Sequence, residues 1–228
     1  MTVEQYYILF MISFAITLIA QIMVKSRYNK YKQISNSSGI NGENIARRIL
    51  DENGMQDVKI IPTKGTLTDN YNPTKRTVNL SEDIFYGTTI AGIAVAAHEC
   101  GHAIQHHENY AFLKLRMSMV PVLNITSKFS YAIIMAGYFL GLLGLFKIGI
   151  ILESVAVLFH VVTLPVEFDA SRRGLKQLQS FGIFDSVELS GCRKMLTAAA
   201  LTYVGAALSA IVSLLRLILM FNNSRRRD

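Results

Sequence analysis

Cysteine is nearly absent from this chain: Cys100 and Cys192 are the two thiols in 228 residues. Two cysteines build neither a disulfide framework nor a Cys-rich metal site, so they read as free thiols. Charge is scarce as well. Asp, Glu, Lys and Arg make up 17% of the chain, against 51% hydrophobic residues and a mean hydropathy of +0.32. That balance argues against an ordinary water-soluble domain and for a membrane protein. Acidic side chains are the scarcer sign, 16 against 23 basic, which leaves a net charge of +7. A basic chain suits nucleic acid or an anionic membrane leaflet. The hydropathy selects the lipid bilayer, and no nucleic-acid partner is expected. Internal repeats and low-complexity segments are absent too.

What the chain does contain is long apolar runs. The first, Tyr6–Val24, carries no charge and has the roughly 20 residues needed to cross a bilayer core. The preceding "MTVEQ" lacks Lys and Arg, and no small-residue cleavage site follows, so the run does not read as a cleaved signal peptide. Lys25, Arg27, Lys30 and Lys32 follow it as a stop-transfer flank and place the next region on the cytoplasmic side. Two later runs, Phe129–Phe146 and Ile148–Leu164, are separated around "KIG" and read as a helical hairpin. A fourth, Leu196–Phe221, contains Arg216, and its "TAAALTYVGAALSA" suits close helix packing. Thirteen Lys or Arg lie between residues 25 and 128 and five between 165 and 195, so both regions belong on one side. Arg225, Arg226 and Arg227 oppose that parity if all four runs cross, so three to four transmembrane helices are expected.

The organisation expected is therefore an N-terminal span in residues 1–24, a cytoplasmic-side region in 25–128 and a hairpin in 129–164. A short region in 165–195 and an apolar helix with a basic tail in 196–228 complete it. Within the second region, "NGENIARRILDENGM" predicts an amphipathic helix with Ile45, Ala46, Ile49 and Leu50 on one face and Gly54 as its stop. "DVKIIP", "GTLTD" and "RTVNLS" read as short strands, with a turn in "DNYNPTK".

The chemistry concentrates in "HECGH". Residues four apart share a helix face, so His98 and His102 can point two imidazoles at one ion. Glu99 lies about 100° round the helix, beside the ion, where it can take a proton from water. This is the HExxH signature of zinc metalloproteases, and "TTIAGIAVAA" before it is a helix-compatible approach. Gly101 allows close packing beside the site.

A catalytic zinc usually has three protein ligands, so one more must come from elsewhere. His106 is a turn further on, but one straight helix cannot easily wrap three ligands round a tetrahedral ion. Gln105 stands where a longer His-Gly-His motif has its Gly. His106 and His107 suit the helix end, where cationic groups favour the dipole, or a supporting role. "LPVEFDASRRG" is the better source. Glu167 completes a His2Glu set, and Asp169 could hold a ligand histidine by its outer N–H. Pro165 before them can break the span or begin a new helix. Two ionisable groups inside the hairpin also count. His160, seven residues before Glu167, is an alternative partner or ligand, and Glu153 is expected near the far interface.

With "NGENIARRILDENG", "LTDNYNPTKRTVNLS", "AVAAHECGHAIQH", "LPVEFDASRRGL" and "AAALTYVGAALSA" in view, the chain resembles the neutral zinc metallopeptidases of bacterial membranes, the YugP type. It is more distantly similar to HtpX-type and CaaX-processing membrane proteases. The resemblance implies a membrane-integrated zinc protease in which a Glu after a later span completes the site, a role that falls on Glu167. In those relatives an Asp commonly stands four residues after that Glu. Here the position is Ser171, and the acid is Asp169.

The expectation is thus a mostly α, multi-pass, zincin-like protein of the gluzincin kind. A small sheet lies beside its HExxH helix, and Zn2+ is held by His98, His102 and Glu167. Glu99 is the general base, and Asp169, His106 and His160 are possible supports. It would hydrolyse peptide or protein substrates at the cytoplasmic face of the cell membrane. "RTVNLS", as an exposed edge strand, could pair with an extended substrate. Tyr71, Tyr86 and Tyr110 are candidate oxyanion donors, with nothing to choose between them. A non-proteolytic metal-binding assembly or transport factor is the alternative, and it would not need Glu99 as a base.

Overall fold

The computed structural model describes residues 3–225. It is mostly helical, in the order α1 (Val3–Tyr31), α2 (Gly42–Glu52), β1 (Lys59–Thr63), β2 (Asn70–Asn72), β3 (Thr77–Ser81), α3 (Glu82–Phe85), α4 (Ile90–His107), α5 (Ala111–Phe139), α6 (Leu143–Ser180) and α7 (Ser186–Arg225). Its contacts divide it into two compact units. One comprises residues 1–20, 114–164 and 202–228, and the other comprises 21–113 and 165–201. Four helices, α1, α5, α6 and α7, are long and apolar enough to cross a membrane.

In the first unit the helices turn apolar side chains outward. Ile8, Phe10, Phe139 and Leu158 are exposed, the pattern that lipid as solvent permits. Polar contacts are few, among them Thr17 Oγ1 to Ser209 Oγ at 3.2 Å and Ser130 Oγ donating to Glu153 at 3.1 Å. Glu153 thus bonds a neighbouring helix. The hairpin turns at Leu140–Leu142, earlier than the sequence suggested, and Lys147 lies within α6. Gly141, at φ +67°, is the reason. It caps α5 with paired bonds, Gly141 N–H to the Tyr138 carbonyl and Leu142 N–H to the Gly137 carbonyl. The fourth apolar segment belongs to a single 40-residue helix. Arg226 and Arg227 of the basic tail lie outside the described residues.

The second unit has a packed core. α2 starts where the Asn41 side chain accepts the Asn44 N–H at 2.9 Å, and it buries Ile45, Ala46, Ile49 and Leu50. The chain then leaves through Gly54 at φ +72°. The sheet order is β1-β3-β2, with β1 parallel and β2 antiparallel to β3. "RTVNLS" is therefore the central strand, flanked on both sides, and not an edge. "GTLTD" is not a strand either. The strand forms at Asn70–Asn72, inside the expected turn segment, and the chain reverses at residues 73–76, with Arg76 at φ +51°.

The α4 helix runs through this core. Thr89 caps it by accepting the Gly92 N–H at 3.1 Å, and its small residues Ala91, Ala94, Ala96 and Ala97 are fully buried. It packs closely on α6. A Cβ on Gly101 would lie 2.2 Å from the Ala170 carbonyl oxygen, and one on Gly174 would lie 2.5 Å from that of Ala97. Only glycine permits this approach. α6 also continues unbroken through Pro165, which neither ends nor starts a helix. The stretch after the apolar run therefore stays helical beside α4. Cys100 and Cys192 are buried free thiols.

Candidate metal centre

Helical spacing brings His98 and His102 one turn apart on α4, with ring centroids 4.8 Å apart. The close α4–α6 packing then brings Glu167 against both. Its Oε2 is 3.3 Å from His98 Nε2 and 3.6 Å from His102 Nε2, and its side chain is 2% exposed. The ligand atoms of these three residues lie within 4.8 Å of one another. Among the described residues they form the one such group.

The outer ring nitrogens are held as well. Gln105 is fully buried, and its amide nitrogen donates to the Val166 carbonyl at 2.8 Å and to Asp169 at 3.0 Å. Its Oε1 is left to accept, and it sits 3.1 Å from His102 Nδ1. His102 Nδ1 therefore carries the proton, and the lone pair of Nε2 faces Glu167. His98 Nδ1 lies 3.0 Å from Ser171 Oγ. Two oriented imidazoles and a buried carboxylate are a donor set that fits Zn2+.

Asp169 does not touch a histidine. It reaches His102 through Gln105, and Arg172 and Arg173 hold it, with Arg173 also reaching Glu108. Sequence reasoning missed Gln105 and Ser171. Their spacing carried a signal: Gln105 is three residues after His102, and Ser171 is four after Glu167, both one helical turn.

Glu99 is buried next to the group. Burial raises its carboxyl to about 7, against the opposing influence of His98, while Glu167 and Asp69 raise it further and the Tyr71 backbone amide lowers it. A carboxyl in that range can exchange a proton near neutral pH. His106 is outside the group, its Nδ1 2.9 Å from the Tyr71 hydroxyl. His107 is exposed at the helix end. His160 belongs to the apolar unit, two turns before Glu167. Of the three tyrosines, Tyr71 has its backbone beside Glu99, Tyr86 is exposed, and Tyr110 lies under the Arg173 guanidinium.

Comparison with known families places the chain among zinc peptidases. The family described as "Putative neutral zinc metallopeptidase" matches residues 6–222, and the chain belongs to it. Zn2+ is the cofactor that membership implies, and the cluster of His98, His102 and Glu167 could hold it. The chain is also 49% identical over 206 residues to "Putative membrane protease YugP" of Bacillus subtilis (strain 168), covering 90% of this chain and 92% of that relative. No solved structure is significantly similar.

Proposed function

We propose that the chain is a membrane-integrated zinc metalloendopeptidase of the gluzincin kind. The observation that carries this reading is the convergence of His98 Nε2, His102 Nε2 and Glu167 Oε2 with buried Glu99 at their side. Zinc held there supplies Lewis-acid chemistry, polarising a carbonyl and acidifying water. The chain's own residues do the rest. Gln105 and Ser171 orient the two imidazoles, and Asp169 fixes Gln105. Glu99 takes a proton from the attacking water and passes it to the leaving amine, which its neutral-range carboxyl suits. Substrate in extended form lies along β2, the edge strand whose Tyr71 amide borders Glu99. The basic residues after the first apolar run support a site on the cytoplasmic side.

The test is cleavage of an unfolded reporter protein by the zinc-loaded chain in detergent, beside Glu99→Gln at equal zinc content. The variant is expected to lose about 10²- to 10⁴-fold in rate. Equal cleavage by both would remove Glu99 as the base.

A further inference from the structure

We infer that a cleft between α6 and α7 in the second unit binds the headgroup of an anionic phospholipid. The cleft has a volume of about 510 Å³. Phe168, Leu175 and Leu196 supply apolar walls, and Arg172, Lys176 and Arg193 supply three cations. Phe168 is 46% exposed, a large apolar surface beside positive charge. Arg172 is tied to Asp169. Among the described residues no carboxylate pairs with Lys176 or Arg193. The placement along the chain is informative. The cleft begins four residues beyond Leu164, where the apolar run of α6 ends, and on α7 it spans Arg193 to Ala200, where that helix turns apolar. These are the positions at which spanning helices meet headgroups, and basic pockets between such helices suit anionic ones.

Charge complementarity selects the occupant: phosphate against Lys176 and Arg193, and acyl chain against Phe168 and Leu175. The cleft also borders a support of the metal centre. Ser171, which holds His98, is one of its lining residues, so the lipid would lie against a residue that orients a ligand. This inference rests on the membrane reading and not on proteolysis.

The experiment is native mass spectrometry of the zinc-loaded full chain, released from micelles holding equal amounts of phosphatidylglycerol and phosphatidylcholine with matched acyl chains. The wild type is expected to retain phosphatidylglycerol in about tenfold excess or more, since each of the two basic groups near an anionic surface adds a factor of about five. The double variant Lys176→Gln/Arg193→Gln should fall to near parity with its zinc content unchanged, which shows that it is folded. Parity in the wild type would overturn the inference, as would an undiminished excess in the double variant. Loss of the excess on adding equimolar glycerol phosphate would also overturn it, assigning the cleft to a soluble phosphate.

Discussion

The two units solve opposite solvation problems with the same element. In the first, helices leave Ile8, Phe10 and Leu158 facing outward, and the polar ties between them are as sparse as Thr17–Ser209 and Ser130–Glu153. In the second, α4 is buried along most of its length and touches α6 so closely that glycine is required at Gly101 and Gly174. Polar groups there are chained together, from Arg173 through Asp169 and Gln105 to His102. A spanning helix has to satisfy its own backbone and face lipid. A helix that builds a metal centre has to be placed to a fraction of an ångström, and close packing with linked hydrogen bonds supplies that.

The same substitution made in each unit sharpens the contrast. Gly101→Ala would drive a methyl group to 2.2 Å from the Ala170 carbonyl oxygen, whereas nothing lies within 4 Å of a Cβ on Gly144. Gly101→Ala is expected to cost about 1–3 kcal/mol and to move Glu167 from the histidines. Gly144→Ala is expected to be neutral or slightly stabilising in its helix. Thermal unfolding with zinc titration of both variants checks this. A smaller effect is expected from the links beyond the ligands. Gln105→Leu removes the acceptor for His102 Nδ1, and Ser171→Ala removes the partner of His98 Nδ1. Each should weaken zinc about 10- to 100-fold in competition with a chelating dye. Ser130→Ala, which touches Glu153 in the other unit, should leave zinc affinity unchanged.

The gentlest effect is one of pH. Burial raises the Glu99 carboxyl to about 7, so the folded, metal-free chain holds that proton more tightly than the unfolded chain does. The stability this brings is full below the unfolded carboxylate range, near about 4.3, and is lost as pH rises through about 7. Unfolding temperatures of the chelated wild type should therefore fall across pH 5–8 relative to Glu99→Gln. Parallel curves would contradict the assignment.

Much of the candidate centre could be read from residue order, because a His-x-x-x-His spacing puts two imidazoles on one face of a helix. His98, Glu99 and His102 need no tertiary information to be singled out. Glu167 was legible because its chemistry completes the donor set. Its delivery was not, since it depends on α6 running straight through Pro165 and on Gly101 and Gly174 letting two backbones meet. The amphipathic α2 was plain from the apolar spacing of Ile45, Ala46, Ile49 and Leu50, which the structure buries. Short strands were harder. Three residues, Asn70–Asn72, carry no periodicity, and their pairing with β3 is a tertiary choice. The hairpin turn was hidden for another reason. Leu140, Leu142 and Leu143 continue the apolar run, and only the backbone of Gly141 marks the reversal. Gln105 and Ser171 escaped because a supporting hydrogen bond leaves no pattern stronger than a one-turn spacing.

The most direct test of the account is zinc stoichiometry in Glu167→Ala beside the wild type and Glu99→Gln. The centre is argued to be built by two helices, so a ligand supplied by α6 must matter as much as the pair on α4. About one zinc per chain is expected in the wild type and in Glu99→Gln, and a small fraction of that in Glu167→Ala. Full zinc occupancy with unchanged affinity in Glu167→Ala would contradict the account, because α4 alone would then hold the ion.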